Sequence, residues 1–223
     1  MKLQEIFDQL GYGEFSQVSI GGQAAGVINE VNHKTVLGHL DLGLTALYTR
    51  FNLKERKLTI PLQPDADTYS LQVKDIIKIE KITTDAGVEV SLNLEGDPLS
   101  CFTPSLNSLR VPKILLDQDD ALPEDLKTDG LTIWYRANHP KLSTAFGLML
   151  PEMKEVELPM SHLQALLYFV ASRVYNPIGV GQEFNAGNTW YGKYEGECQR
   201  LEATNIQVDR GFENTRLERA GWV

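Results

Sequence analysis

Apolar residues recur first at helical spacing. Leu3, Ile6, Phe7 and Leu10 stand at offsets 0, 3, 4 and 7, so Met1–Leu10 predicts a short amphipathic helix, with Gly11 suited to ending it. Gly11, Gly13, Gly21, Gly22 and Gly26 then predict a flexible loop, a poor place for a buried element. Order is expected to resume near Val27. From Thr35 to Phe51, Leu37, Leu40, Leu44, Leu47 and Phe51 form a narrow stripe of the coiled-coil kind, which predicts a long helix within 27–54.

The period then changes to two. Leu58, Ile60 and Leu62 alternate with polar residues, and after Pro64-Asp65-Ala66-Asp67 so do Tyr69, Leu71 and Val73, which predicts a hairpin. Ile77 and Ile79, then Val88, Val90, Leu92 and Leu94, then Leu109–Leu116 and Leu131–Tyr135 predict further strands. Residues 57–137 are therefore expected to form an antiparallel β lobe. Helical period returns after Pro159, where Leu163, Leu166, Leu167, Val170, Ala171 and Val174 mark a buried face until Asn176-Pro177 and Gly179 stop it, giving a helix over 159–175. Asn185 is a candidate cap for a last helix over 186–205, with Tyr191, Tyr194, Cys198 and Leu201 on one stripe. The expected fold class is α+β: a helical body from 1–54 and 141–205, a β lobe inserted at 55–140, and a C-terminal arm at 206–223.

Composition narrows the function classes. The chain has 223 residues, 21 Lys+Arg against 30 Asp+Glu, and 42% hydrophobic residues, which fits a folded domain and excludes a disordered tail protein. It contains no run of about 18 apolar residues for a membrane span, and Met1–Leu10 lacks the signature of a signal peptide, so folding in cytoplasm is expected. Cys101 and Cys198 are too few for a disulfide framework or a zinc site and are expected to stay thiols. The net charge of −9 argues against general adhesion to nucleic-acid phosphates.

No motif demands catalysis. Gly21-Gly22-Gln23-Ala24-Ala25-Gly26 has the glycines of a phosphate loop without the preceding strand or the lysine. His33, His39, His139 and His162 lack zinc-site spacing, and Asp117-Gln118-Asp119-Asp120 with Glu124-Asp125 lacks the glycine of a calcium loop. Glu152, Glu155 and Glu157 could supply paired carboxylates for glycoside cleavage, but a charged approach to the Pro159 helix explains them as well. No catalytic, cofactor or metal site is expected.

Two features ask for a partner. Gly38 and Gly43 interrupt the long helix, and Gly187, Gly192 and Gly196 the last one, at about 1 kcal/mol each relative to Ala, so close packing within the subunit or between subunits should compensate. The segment 206–223 mixes Asp209, Arg210, Glu213, Arg216, Glu218 and Arg219 with Phe212, Leu217, Trp222 and Val223; it is either a tail folded on its own helices or an arm that docks on another protein.

Ala46-Leu47-Tyr48-Thr49-Arg50-Phe51-Asn52-Leu53-Lys54, the strand with Tyr69-x-Leu71, the helix from Leu158-Pro159 through Tyr168-Phe169-Val170-Ala171-Ser172-Arg173-Val174-Tyr175, and the closing Gly221-Trp222-Val223 resemble the head-to-tail adaptor proteins of short-tailed bacteriophages. The resemblance implies a structural virion protein of the tail or neck, made in the host cytoplasm. It implies a ring, usually of twelve copies, joined to the portal above and to a tail nozzle or tail tube protein below, through which DNA passes without specific binding. In that frame Arg210, Phe212, Arg216, Leu217, Arg219, Trp222 and Val223 are the expected portal-docking residues, and Gly38, Gly43, Gly192 and Gly196 the expected subunit-packing positions. A ring of chains at −9 would repel the DNA it lets slide. The alternatives are a virion-associated enzyme that cuts the bacterial cell wall and an unrelated oligomeric scaffold.

Overall fold

The structure, a computed structural model, describes residues 1–20, 22–30, 32–117, 122–142, 153–175 and 182–204, of which 182–185 are described in backbone only. Its class is α+β. The described residues part into two compact units, one holding Met1–Leu53 and those from His139 to Thr204, the other Lys54–Asn138.

The helical unit contains α1 (Leu3–Tyr12), α2 (His33–Arg50) and two helices later in the chain. Leu3, Ile6, Phe7 and Leu10 are buried, as their spacing predicts. Helix α1 nevertheless runs through Gly11 and closes at Gly13, whose N–H donates to the Gln9 carbonyl at 2.9 Å. Gly11 serves another purpose. A Cβ there would stand 2.6 Å from the Gly26 carbonyl oxygen, and one on Gly26 (φ +75°) 2.7 Å from that of Gly11, so the two backbones cross where only glycine fits.

Beyond α1 the glycine-rich segment is a loop, as its composition predicts, but one that sends side chains into the core. Phe15 and Ile20 are buried, and buried Asn32 ties the segment down. Its Nδ2 donates to the Val27 carbonyl (2.7 Å) and the Ile20 carbonyl (3.3 Å), and its Oδ1 accepts from the Asn29 N–H (2.8 Å). Helix α2 starts only after Asn32, so the expected onset near Val27 is corrected. Its stripe Leu37, Leu40, Leu44, Leu47 and Phe51 is buried throughout.

In the other unit, β1 (Glu55–Pro61), β3 (Ile76–Thr84), β4 (Glu89–Val90) and β7 (Gly130–Ala137) form one sheet in the order β1-β7-β3-β4. Strands β2 (Thr68–Ser70), β5 (Phe102–Ser105) and β6 (Ser108–Arg110) form a second, ordered β2-β6-β5. All strand pairs are antiparallel, with Ile60 opposite Leu131 and Tyr69 opposite Leu109. The expected hairpin between residues 57–62 and 69–73 is therefore wrong: β1 and β2 belong to different sheets. Alternation reports that a strand is half-buried and is silent about its neighbour.

Two further strand expectations are corrected. The alternation from Val88 to Leu94 yields only β4, because Asn93 takes a left-handed conformation (φ +53°), held by its bonds to Thr103 at 2.8 and 2.9 Å. Within 109–116 the chain leaves β6 at Arg110, passes Pro112 and makes a one-turn helix, α3 (Lys113–Leu116). Strand β3 carries register shifts at Ile76/Lys78 and Ile79/Lys81, so Glu80 stands in a bulge between residues that face β7. Ile79, Ile82, Leu109, Leu131 and Ile133 are among the core residues of this unit.

The later helices are α4 (Leu163–Tyr175), entered through a 3-10 turn at Met160–His162, and α5 (Gln182–Ala203). Pro159 is the residue that precedes this turn, with extended backbone, instead of lying within it. The expected apolar face of α4 is buried in full. Helix α5 begins ahead of Asn185, which therefore lies inside the helix; a cap preference of about 1 kcal/mol is small beside a continuing run of helical hydrogen bonds.

Candidate assembly surface

Helix α5 is held by charge on one flank and aromatic packing on the other. Arg50, at the end of α2, donates from Nε to Glu202 (2.6 Å), from Nη2 to the same carboxylate (3.3 Å) and from Nη1 to Glu195 (2.7 Å). The carboxylates of Glu202 and, next, Glu195 hold the guanidinium protonated well above its ordinary range. Trp190 packs between Tyr168 and Tyr175 at ring separations of 5.6 and 6.0 Å, Tyr194 meets Phe169 edge to face at 5.2 Å, and Lys193 Nζ lies 3.8 Å over Trp190. Tyr194, Cys198 and Leu201 are buried, whereas Tyr191, expected on the same stripe, is 44% exposed at its margin.

This seating turns Thr189, Gly192, Gly196, Gln199 and Ala203 outward, at offsets 0, 3, 7, 10 and 14, along one exposed ridge of small and polar side chains. The glycines of the chain then separate into two kinds. A Cβ on Gly43 would stand 2.7 Å from Leu166 Cδ1 and 2.9 Å from Phe169 Cδ1, so this glycine lets α4 approach α2 within one subunit. Among the described residues, no atom outside the helix's own backbone lies within 4 Å of a Cβ built on Gly38, Gly192 or Gly196. Their helix-propensity cost has no return among the described residues.

The polar candidates divide among structural roles. His33 stacks on Phe7 at 5.0 Å, His162 meets Phe51 edge to face at 4.7 Å, and burial is the main cause that lowers the affinity of both for a proton. His39 is lowered by burial and then by nearby Arg173. His139 Nε2 accepts the Glu157 N–H at 3.1 Å, and its Nδ1 lies 2.6 Å from the Pro140 carbonyl. Among the described residues no three His, Cys, Asp or Glu side chains group as a metal site. Burial pushes the Cys101 thiol up to about 12 and the Cys198 thiol up to about 11, which keeps both protonated and poorly nucleophilic.

Glu155 pairs with Lys2 at 3.0 Å, and that hydrogen bond holds its carboxyl below the usual range, opposite to the shift a general acid needs. Asp117 closes α3 and Glu124 pairs with Lys127 at 2.7 Å. Asp119, Asp120 and Glu152 lie outside the described residues, as does the whole arm 206–223 with Arg210, Phe212, Arg216, Leu217, Arg219, Trp222 and Val223. No described helix is long and apolar enough to cross a membrane.

No protein-family model matches the chain, and no curated protein matches it. Among solved structures it is similar to a chain in the virion of a native gene transfer agent (GTA) particle, at 16% identity and a TM-score of 0.27 over 85% of this chain and 88% of that one. A likeness of that size leaves fold and function to be argued from the residues themselves.

Proposed function

We propose that this chain is a structural subunit of a phage-type virion, a head-to-tail adaptor. In this reading copies join laterally through the outward face of α5, residues 206–223 dock on a portal protein, a tail nozzle or tube follows below, and DNA passes through the ring. One observation carries the assembly half: Gly192 and Gly196 stand on an exposed helix ridge where, among the described residues, no atom beyond the helix's own backbone comes near a Cβ position. A second helix laid on that ridge could approach closely, which is the return that two helix-weakening residues require.

The adaptor half is supported by the sequence resemblance, whose residues have definite work in the helical unit. Leu47 and Phe51 fill the core, Arg50 clamps α5, and the Tyr48 hydroxyl donates to the Glu157 carbonyl next to Leu158-Pro159. The test is the mass of complexes formed with portal rings by the wild-type chain and by a Gly192→Leu/Gly196→Leu variant. The variant should remain a folded subunit, because the added side chains point outward, and should fail to build the ring that the wild type builds. A variant that assembles like wild type would remove α5 as the lateral contact. A wild-type chain that never associates with portal would overturn the adaptor reading itself.

A further inference from the structure

The outward ridge of α5 has a counterpart on α2. Thr35, Gly38, Leu42, Thr45 and Thr49 are exposed at offsets 0, 3, 7, 10 and 14, on the side opposite the buried stripe Leu37, Leu40, Leu44 and Leu47. Thr189, Gly192, Gly196, Gln199 and Ala203 repeat the same offsets on α5. Neither ridge carries an ionisable side chain, although 23% of the chain is charged, so burying both would strip water from no charge. The two differ in relief. Leu42 is 57% exposed, the one large apolar side chain on either ridge, whereas Gly192 and Gly196, one turn apart, leave a gap where two side chains would stand. Beside Leu42 a cavity of about 180 Å³ opens between Gly38, Thr45, His139 and Lys141.

We propose that the α2 ridge of one copy covers the α5 ridge of the next, with Leu42 seated over Gly192 and Gly196. The inference rests on the adaptor reading and follows from closure. Copies around a ring of more than two meet head to tail, so the surface one copy offers must differ from the surface that receives it. An α5 ridge laid on another α5 ridge would satisfy both at once and stop at a dimer. The partner surface therefore lies elsewhere on the chain. Among the other exposed large apolar side chains of the helical unit, Tyr12 ends α1, Val27 lies in the loop, Met153 and Met160 precede α4, and Tyr191 belongs to α5 itself. Leu42 alone stands in the middle of a long helix face. It offers a knob at the spacing of the hole, on a helix whose Gly38 also has, among the described residues, no return within the subunit. Matched offsets keep the two ridges in register over about four turns, and the small residues on both let the backbones approach.

Cysteine coupling within the complexes formed on portal rings tests it. Cys101 and Cys198 are buried, so thiols placed at the exposed positions 42 and 196 are the ones able to pair. Full-length L42C and G196C chains are mixed with portal rings under mild oxidation and separated without reductant. The mixture should give a covalent dimer, and each variant alone should stay at single-chain mass. L42A, whose folding is checked by thermal melting, should weaken ring formation by at least about tenfold, the loss expected for one buried leucine. L42D, which puts a charge over the glycines, should abolish it. A G196C chain that couples to itself would overturn the inference, because α5 would then face its own copy. So would rings whose mixed cysteines fail to couple, or rings that form equally well with L42D. Those results leave the adaptor reading standing, since a ring has formed; a wild-type chain that never joins portal removes both.

Discussion

The helical unit and the β unit differ in where their polar groups are hidden. The β unit buries a full ion pair: Arg136 Nη2 and Glu80 Oε1 approach to 2.8 Å with side chains 3% and 5% exposed, as a charge contact that is not aligned as a hydrogen bond. The helical unit packs imidazoles instead, His139 and His162 buried and His33 and His39 half-buried. All four histidines belong to it, and His33, His39 and His162 are disposed to stay uncharged. The β unit therefore depends on a fully buried charge being matched, and the helical unit, whose Arg50 pairs are partly exposed, on imidazoles staying uncharged, so the two should fail under different perturbations.

The largest effect should come from breaking the matched charge. Glu80→Gln leaves Arg136 buried without its carboxylate, a change that typically costs about 3–5 kcal/mol. Thermal melting should show the β unit lost early while the helical signal persists; a loss of both together would mean that the units do not unfold separately. Packing within the helical unit comes next. Gly43→Ala forces Leu166 and Phe169 to move and should destabilise by about 1–3 kcal/mol. Gly192→Ala, with open space around it, should instead stabilise the lone subunit by up to about 1 kcal/mol. Equal effects at the two positions would end the distinction between internal and outward glycines.

Acid should give the smallest and most selective effect. Because the folded state lowers the proton affinity of His33, His39 and His162, the unfolded chain takes up protons first as pH falls below about 6.5, and stability drops from there. A second loss should begin near pH 4.5, as Glu155, Glu197 and Glu202, whose folded affinities are lowered mainly by Lys2, Arg200 and Arg50, are protonated. Melting followed by helical signal between pH 7.5 and about 5 should decline, while His162→Phe, which keeps a ring against Phe51, should flatten part of that decline. A helical melting temperature unchanged over that window would refute the role of these neutral imidazoles.

Legibility followed the range of the interaction. The stripes Leu3–Leu10, Leu37–Phe51 and Leu163–Val174 were readable because a helix sets its own face within a few residues. The pairing of Leu58 with Ile133 was not, because nothing near residue 58 names a partner far along the chain. The glycine-rich segment is legible as a loop, but not as one that buries Phe15 and Ile20, because that depends on Asn32 and on the crossing of Gly11 on Gly26, and composition registers neither. The outward face of α5 was half legible. Gly192 and Gly196 stood out as costly, yet their orientation depends on Arg50 and Trp190, residues whose joint action on α5 is a matter of tertiary packing.

By itself the sequence determined the α+β class, the helices and their buried faces, and the acidic balance, since periodicity and charge are local or additive properties. The tertiary structure alone decided which strands pair, that Glu80 bulges out to meet Arg136, and that the Trp134 indole gathers Lys57 and Lys81 into a row. Those outcomes depend on chain closure over long separations and on the register between strands, and both exist only after the sheet has formed.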